Sequence, residues 1–123
     1  MAIVKITPVE LDEVNVPSAK VATDALTTAV DATAGAYYEH RERDDKYLII
    51  AQNANSSAAK KLTIKKGNGI QGVVDKVVSI AAGKTIFINI ESGRFKNVSG
   101  DNKGKVILAG ESADIKVAVV KLP

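Results

Sequence analysis

The chain has 123 residues, enough for one domain spanning 1–123 and too few for a second core. Apolar residues make up 46% and charged residues 25%, a balance that buries a core and excludes a disordered chain. Cysteine is absent, which excludes disulfides, thiolate nucleophiles and cysteine-ligated zinc, and a net charge of +3 is too small to mark a nucleic-acid binder.

With two Phe, three Tyr and no Trp, the core must be filled by Val, Ile, Leu and Ala. Val and Ile are stiff at χ1 and fit a pleated surface, so the composition leans towards strand. Met1-Ala2-Ile3-Val4-Lys5 lacks the basic and long apolar regions of a secretory signal. No apolar run approaches the roughly 18–20 residues that span a bilayer, so the expected setting is cytosolic, without a membrane. Asn55-Ser56-Ser57 and Asn97-Val98-Ser99 match glycosylation sequons but count for little in that setting. Charge is uneven. Residues 1–45 hold four Lys/Arg against nine Asp/Glu, and residues 46–123 hold thirteen against five. Such polarity reads as two solvated surfaces, with ordered contacts between copies as the alternative.

In chain order, Ala2 to Ile6 reads as a short strand stopped by Pro8. Val9 to Val16, closed by Pro17, reads as an edge strand or extended arm, because proline cannot donate to a ladder. Lys20 to Val30 is read as a strand, with a short helix starting near Thr23 or Asp24 as the alternative. Asp31 to Gly35 is a turn. Tyr37 to Asp45, the densest charge run, reads as a solvated loop that includes the lone His40. Tyr47 to Ala51 is a buried central strand, and Asn53 to Ser57 a turn. Leu62 to Lys65 alternates in period two. After the loop Gly67 to Gly72 come Val73 to Ile80, a tight turn at Ala81-Ala82-Gly83, and Thr85 to Ile90, the strongest strand pattern, with Phe87 in its buried-looking middle. The loop Glu91 to Asn97 and the turn Ser99 to Asn102 lead to the last strands, Lys105 to Ala109 and Asp114 to Leu122. About eight strands with turns every 8–12 residues predict an all-β fold: a single jelly-roll-like β-sandwich with an extended N-terminal arm at residues 1–17.

Several motifs fail on spacing or partners. Gly67, Gly69 and Gly72 spell G-x-G-x-x-G after a strand, the outline of a dinucleotide site. The segment that should be its helix is Val-rich, and Val disfavours helix. A loop between strands is the better reading. Gly83-Lys84-Thr85 resembles the end of a phosphate loop, but Val78 stands where that motif needs glycine. His40 lies beside Glu39, Glu42, Asp44 and Asp45 without a second histidine or ligand spacing. A serine nucleophile would have only His40 as base, and no Gly-x-Ser-x-Gly elbow occurs. No catalytic residue, cofactor or metal is expected. Lys60, Lys61, Lys65, Lys66 and Lys76 form a basic stretch without the interleaved aromatics that stack on bases, so nucleic acid is not an expected partner.

The most distinctive loop is Glu91-Ser92-Gly93-Arg94-Phe95-Lys96-Asn97. Phe95 either pins the loop to the core or anchors a contact surface with a cationic rim from Arg94 and Lys96. Taken with Met1-Ala2-Ile3-Val4, Thr7-Pro8, Asp31-Ala32-Thr33-Ala34-Gly35, Tyr47-Leu48-Ile49-Ile50, Leu62-Thr63-Ile64-Lys65, Ala81-Ala82-Gly83-Lys84-Thr85 and the Val-rich strand closing at Pro123, it gives a layout that resembles small tailed-bacteriophage virion proteins of the head-decoration type. The resemblance covers most of the chain. It implies a sandwich displayed in many copies on the virion, with no catalytic residues to carry over and the major capsid protein as partner. A homo-oligomer, with a trimer favoured, is expected. The candidate contact residues are Ile3, Val4, Ile6, Val9 and Leu11 in the arm, with strand addition as one docking mode, and Arg94, Phe95 and Lys96 in the loop. A tail-associated or virion-surface module binding a host glycan is the other reading.

Overall fold

The computed structural model describes residues 3–20, 26–30 and 35–123. Among them are nine strands in two sheets. In chain order they are β1 (Val4–Lys5), β2 (Val9–Glu10), β3 (Ala36–Glu39), β4 (Tyr47–Asn53), β5 (Lys60–Ile64), β6 (Lys76–Ile80), β7 (Thr85–Ile88), β8 (Lys105–Gly110) and β9 (Ile115–Lys121). A 3-10 turn covers Asp44–Lys46, and one helical turn, α1, covers Ser92–Phe95. One sheet runs β1-β3-β8-β5-β6, the other β2-β9-β4-β7.

The order follows from a folded-over hairpin. The β5–β6 hairpin is innermost, and outside it β4 pairs with β7 and β3 with β8, all antiparallel. Outermost, residues 28–30 pair with β9: Val30 N–H donates to the Ile115 carbonyl and Val117 N–H to the Thr28 carbonyl, each at 2.9 Å. Rolling this nested ribbon lets β4 meet β9 over seven residues and β5 meet β8 over three. The product is a jelly-roll-like sandwich, as the turn spacing predicts. The arm then adds a short parallel strand to each sheet: β1 on β3 and β2 on β9.

Alternation sorts the side chains. On β4, Tyr47, Ile49 and Ala51 face inward and meet Leu62, Ile64, Tyr38 and Leu108 of the opposite sheet. Each large side chain buried there contributes about 1.5–3 kcal/mol. The other face of β4 is also apolar. Ile50 and Val120 are buried on the outside of their sheet with Leu26, and Leu11, Leu48 and Ala118 pack beside them. The arm and the segment at 26 therefore cover one outer face of their own domain.

The structure amends the sequence reading in several places. The arm segments are two-residue strands, and Asn15 (φ 70°) turns the chain where a longer edge strand was expected. Tyr37 to Asp45 is not a solvated loop. Its first half is β3, and Tyr38 and His40 are wholly buried because Ala36, Tyr38 and His40 share the inward face. β6 begins only at Lys76, leaving Val73 and Val74 in the preceding loop. Phe87 is 57% exposed, since Ile86 and Ile88 take the inward positions of β7. Glu91 to Asn97 contains a helical turn. The readings at 21–25 and 31–34 lie outside the described residues.

Gly110 closes β8 where 28–30 crosses it. A Cβ there would stand 2.0 Å from the Val30 carbonyl oxygen and 2.8 Å from Ile115 Cβ. Gly110→Ala is expected to lower the unfolding free energy by about 1–3 kcal/mol, read as a lower denaturant midpoint at unchanged slope.

Candidate interaction surface

The connections at 40–46, 65–75 and 89–104 gather at one end of the sandwich, where β3, β5 and β7 finish and β4, β6 and β8 begin. That end is held by a polar cluster. The Tyr38 hydroxyl lies 2.8 Å from His40 Nδ1, and His40 Nε2 lies 2.9 Å from Asp44 Oδ1. The second Asp44 oxygen accepts the Ser92 backbone N–H at 3.1 Å. Tyr47 packs against His40 with ring centroids 4.5 Å apart and the rings tilted by 41°, and it accepts the Arg41 N–H through its hydroxyl. The Asn89 amide donates to the carbonyls of Asp44 and Tyr47. One histidine thus ties β3, the 3-10 turn, α1 and β4 together.

Burial pushes the His40 pKa below its ordinary 6.5, outweighing the neighbouring Asp44 carboxylate. The neutral ring fits its partners: Nδ1 accepts from Tyr38 and Nε2–H donates to Asp44. Burial works to raise the Asp44 pKa, but hydrogen bonds from Ser92 and His40 prevail and lower it. The Tyr38 hydroxyl is pushed far upward, first by burial and then by Tyr47 and Asp44. His, Asp and Ser are neighbours here, yet in the wrong order for acyl transfer. Ser92 faces the carboxylate, not the imidazole, and both ring nitrogens are already engaged. The cluster orders loops.

The glycine motif has a steric cause. Gly67 N–H donates to the Arg94 carbonyl at 2.9 Å, and a Cβ on Gly67 would stand 2.3 Å from the Lys96 carbonyl oxygen. A Cβ on Gly72 would stand 2.0 Å from the Gly67 carbonyl oxygen. Asn68 bridges outward: its amide donates to the Ser99 carbonyl and its oxygen accepts the Val98 N–H at 2.7 Å. At the far end Asp75 accepts the Lys66 N–H at 2.8 Å. Glycine here permits backbone to pack on backbone, and the loop is fastened at both ends. Its aliphatic side chains nevertheless point outward. Ile70 is fully exposed, and Val73, Val74 and, beside Gly69, Val98 are more than half exposed. Exposed aliphatics on and beside one ordered loop make it the candidate contact surface.

The expected contact residues divide. Phe95 is in the core, pinning α1, so the cationic rim is left to Arg94, which pairs with Glu91, and to half-buried Lys96. In the arm, Ile6 is buried in the core, Val9 and Leu11 are half-buried, and Ile3 and Val4 are exposed. Sequence reasoning passed over Ile70, Val73 and Val74. Their signal was an aliphatic cluster interrupted by glycines, with no period to place it in a sheet. Among the described residues, no three His, Asp or Glu side chains converge to hold a metal ion, and no helix is long and apolar enough to cross a membrane. The sequon amides of Asn55 and Asn97 are engaged, with Asp114 and with the Lys105 carbonyl. Comparison with protein-family models, with curated proteins and with solved structures returns no match.

A lowered folded-state pKa makes His40 stabilising only while it is neutral. Its contribution is complete above the unfolded value of 6.5 and is lost as pH falls from there through the depressed folded value. Unfolding free energies measured from pH 8 to about 5 are expected to decline below about 6.5. In His40→Gln, that part of the decline is expected to vanish.

Proposed function

We propose that the protein is a structural module of a phage virion that decorates the capsid exterior and cements neighbouring capsid subunits. The observation that carries this reading is Ile70, an aliphatic side chain left fully exposed on a loop fastened at both ends. An apolar side chain held in water on an ordered loop gains by entering a pocket on another protein. Val73 and Val74 follow it on the same loop, Val98 stands beside Gly69, and Lys96 and Lys103 line a shallow pocket with Val98. The occupant of that surface is the major capsid protein, met after synthesis in the host cytoplasm. The engaged, buried His40 cluster gives the same end of the domain a fixed shape, which lowers the ordering cost of docking.

Purified protein mixed with expanded capsids is expected to co-sediment at micromolar concentration. Ile70→Asp is expected to weaken that binding by at least about tenfold, about 1.4 kcal/mol, while leaving thermal stability within about 0.5 kcal/mol of the parent, as for other surface substitutions. Wild-type protein that stays in the supernatant would refute the reading.

A further inference from the structure

The sandwich has two open lateral edges. Only three residues separate β1 from β2, so these outermost strands of the two sheets lie at one side. Only four separate β6 from β7, which are outermost at the other. Among the described residues each of these four strands pairs on one flank alone. Unpaired strand edges are templates for association unless covered or charged.

Both edges are bordered by exposed apolar side chains. Val77 projects from the outer face of β6 and Phe87 from the outer face of β7. Ile3 and Val4 border the other edge, and Val14 and Val16 stand out from the arm that continues it. Their charges are opposite. Residues 73–87, which hold β6 and β7, carry Lys76 and Lys84 against Asp75, with Lys60 and Lys61 on the neighbouring β5, whereas residues 3–16 carry Glu10, Asp12 and Glu13 against Lys5. Glu10 and Asp12 are partly neutralised by Lys121 and Lys20. Glu13 has no ion-pair partner among the described residues, and neither do Lys66 and Lys76. Like edges brought together would set lysines against lysines, while unlike edges match both apolar surface and charge.

We propose that copies of this chain associate head to tail, the β1–β2 edge and arm of one docking on the β6–β7 edge of the next. The contact is heterologous, so it propagates into a ring where the rotation closes. It uses the sides of the sandwich, not the Ile70 end, and stands whether or not that end binds a capsid.

The test is solution mass by sedimentation across micromolar concentrations. Wild-type protein is expected to self-associate, and less so at high salt. A variant blocked at one edge (Val77→Asp with Phe87→Asp) and a variant blocked at the other (Val4→Asp with Val14→Asp) are each expected to be monomeric. Mixed, they are expected to form a dimer and nothing larger, because each keeps the edge the other lacks. A monomeric wild type, a monomeric mixture, or a wild-type two-fold dimer that both variants retain would each overturn the proposal. Should an aspartate variant fail to fold, Lys76→Glu and Glu13→Lys answer the same question. Each alone should weaken self-association and the two together should restore it; absence of that rescue overturns the edge assignment.

Discussion

The β4–β9 ladder is the pairing on which the rest of the sandwich depends. It runs unbroken from Tyr47 against Lys121 to Asn53 against Ile115. It is not one of the nested hairpin pairs; it forms only when the ribbon rolls over. Once made, it gives β9 a free flank on which residues 28–30 and then β2 can lie. It also joins two strands that are apolar on both faces, which is why a second apolar layer needs Leu11 and Leu26 above it. Burial on both faces of a central strand is normally provided by helices; here an arm of irregular chain provides it.

The two ends of the roll are locked by different chemistry. At one, the buried Asn53 side chain donates to the Ala58 and Ile80 carbonyls and accepts the Asn55 N–H, all near 2.9 Å. At the other, Tyr38, His40, Asp44 and Tyr47 do the equivalent work with rings and a carboxylate. Both clusters satisfy buried polar groups that would otherwise be costly. Both also fix where the connecting loops leave the sheets, and so where the exposed aliphatics of 70–74 stand.

Legibility followed periodicity. Tyr47 to Ala51, Leu62 to Ile64 and Ile115 to Val119 alternate cleanly or are continuously apolar, and each is a strand in the structure. The class of fold was readable from their spacing. His40 was misread because Glu39, Arg41 and Glu42 mask a period-two pattern whose inward members are Ala36, Tyr38 and His40. Phe87 was misread for the opposite reason: a run of apolar residues conceals which half faces out. The arm and the 65–75 loop carry no period, and their placement rests on long-range contacts such as Gly67 against Arg94 and Leu11 against Lys121. Composition could show that the glycines matter, but not that a neighbouring backbone occupies the space beside them.

The place of β9 also bears on when the fold can exist. This strand is the ninth in sequence, yet it lies inside its sheet between β2 and β4. Until residues 115–121 have left the ribosome, β4 lacks its longest partner and β2 has nothing to rest on. Closing pairings so distant in sequence is slow, because loop entropy is lost before contacts repay it. Strand edges therefore stay open until that pairing forms, and such edges are prone to aggregation. The position of one strand thus sets the moment at which the second sheet can close.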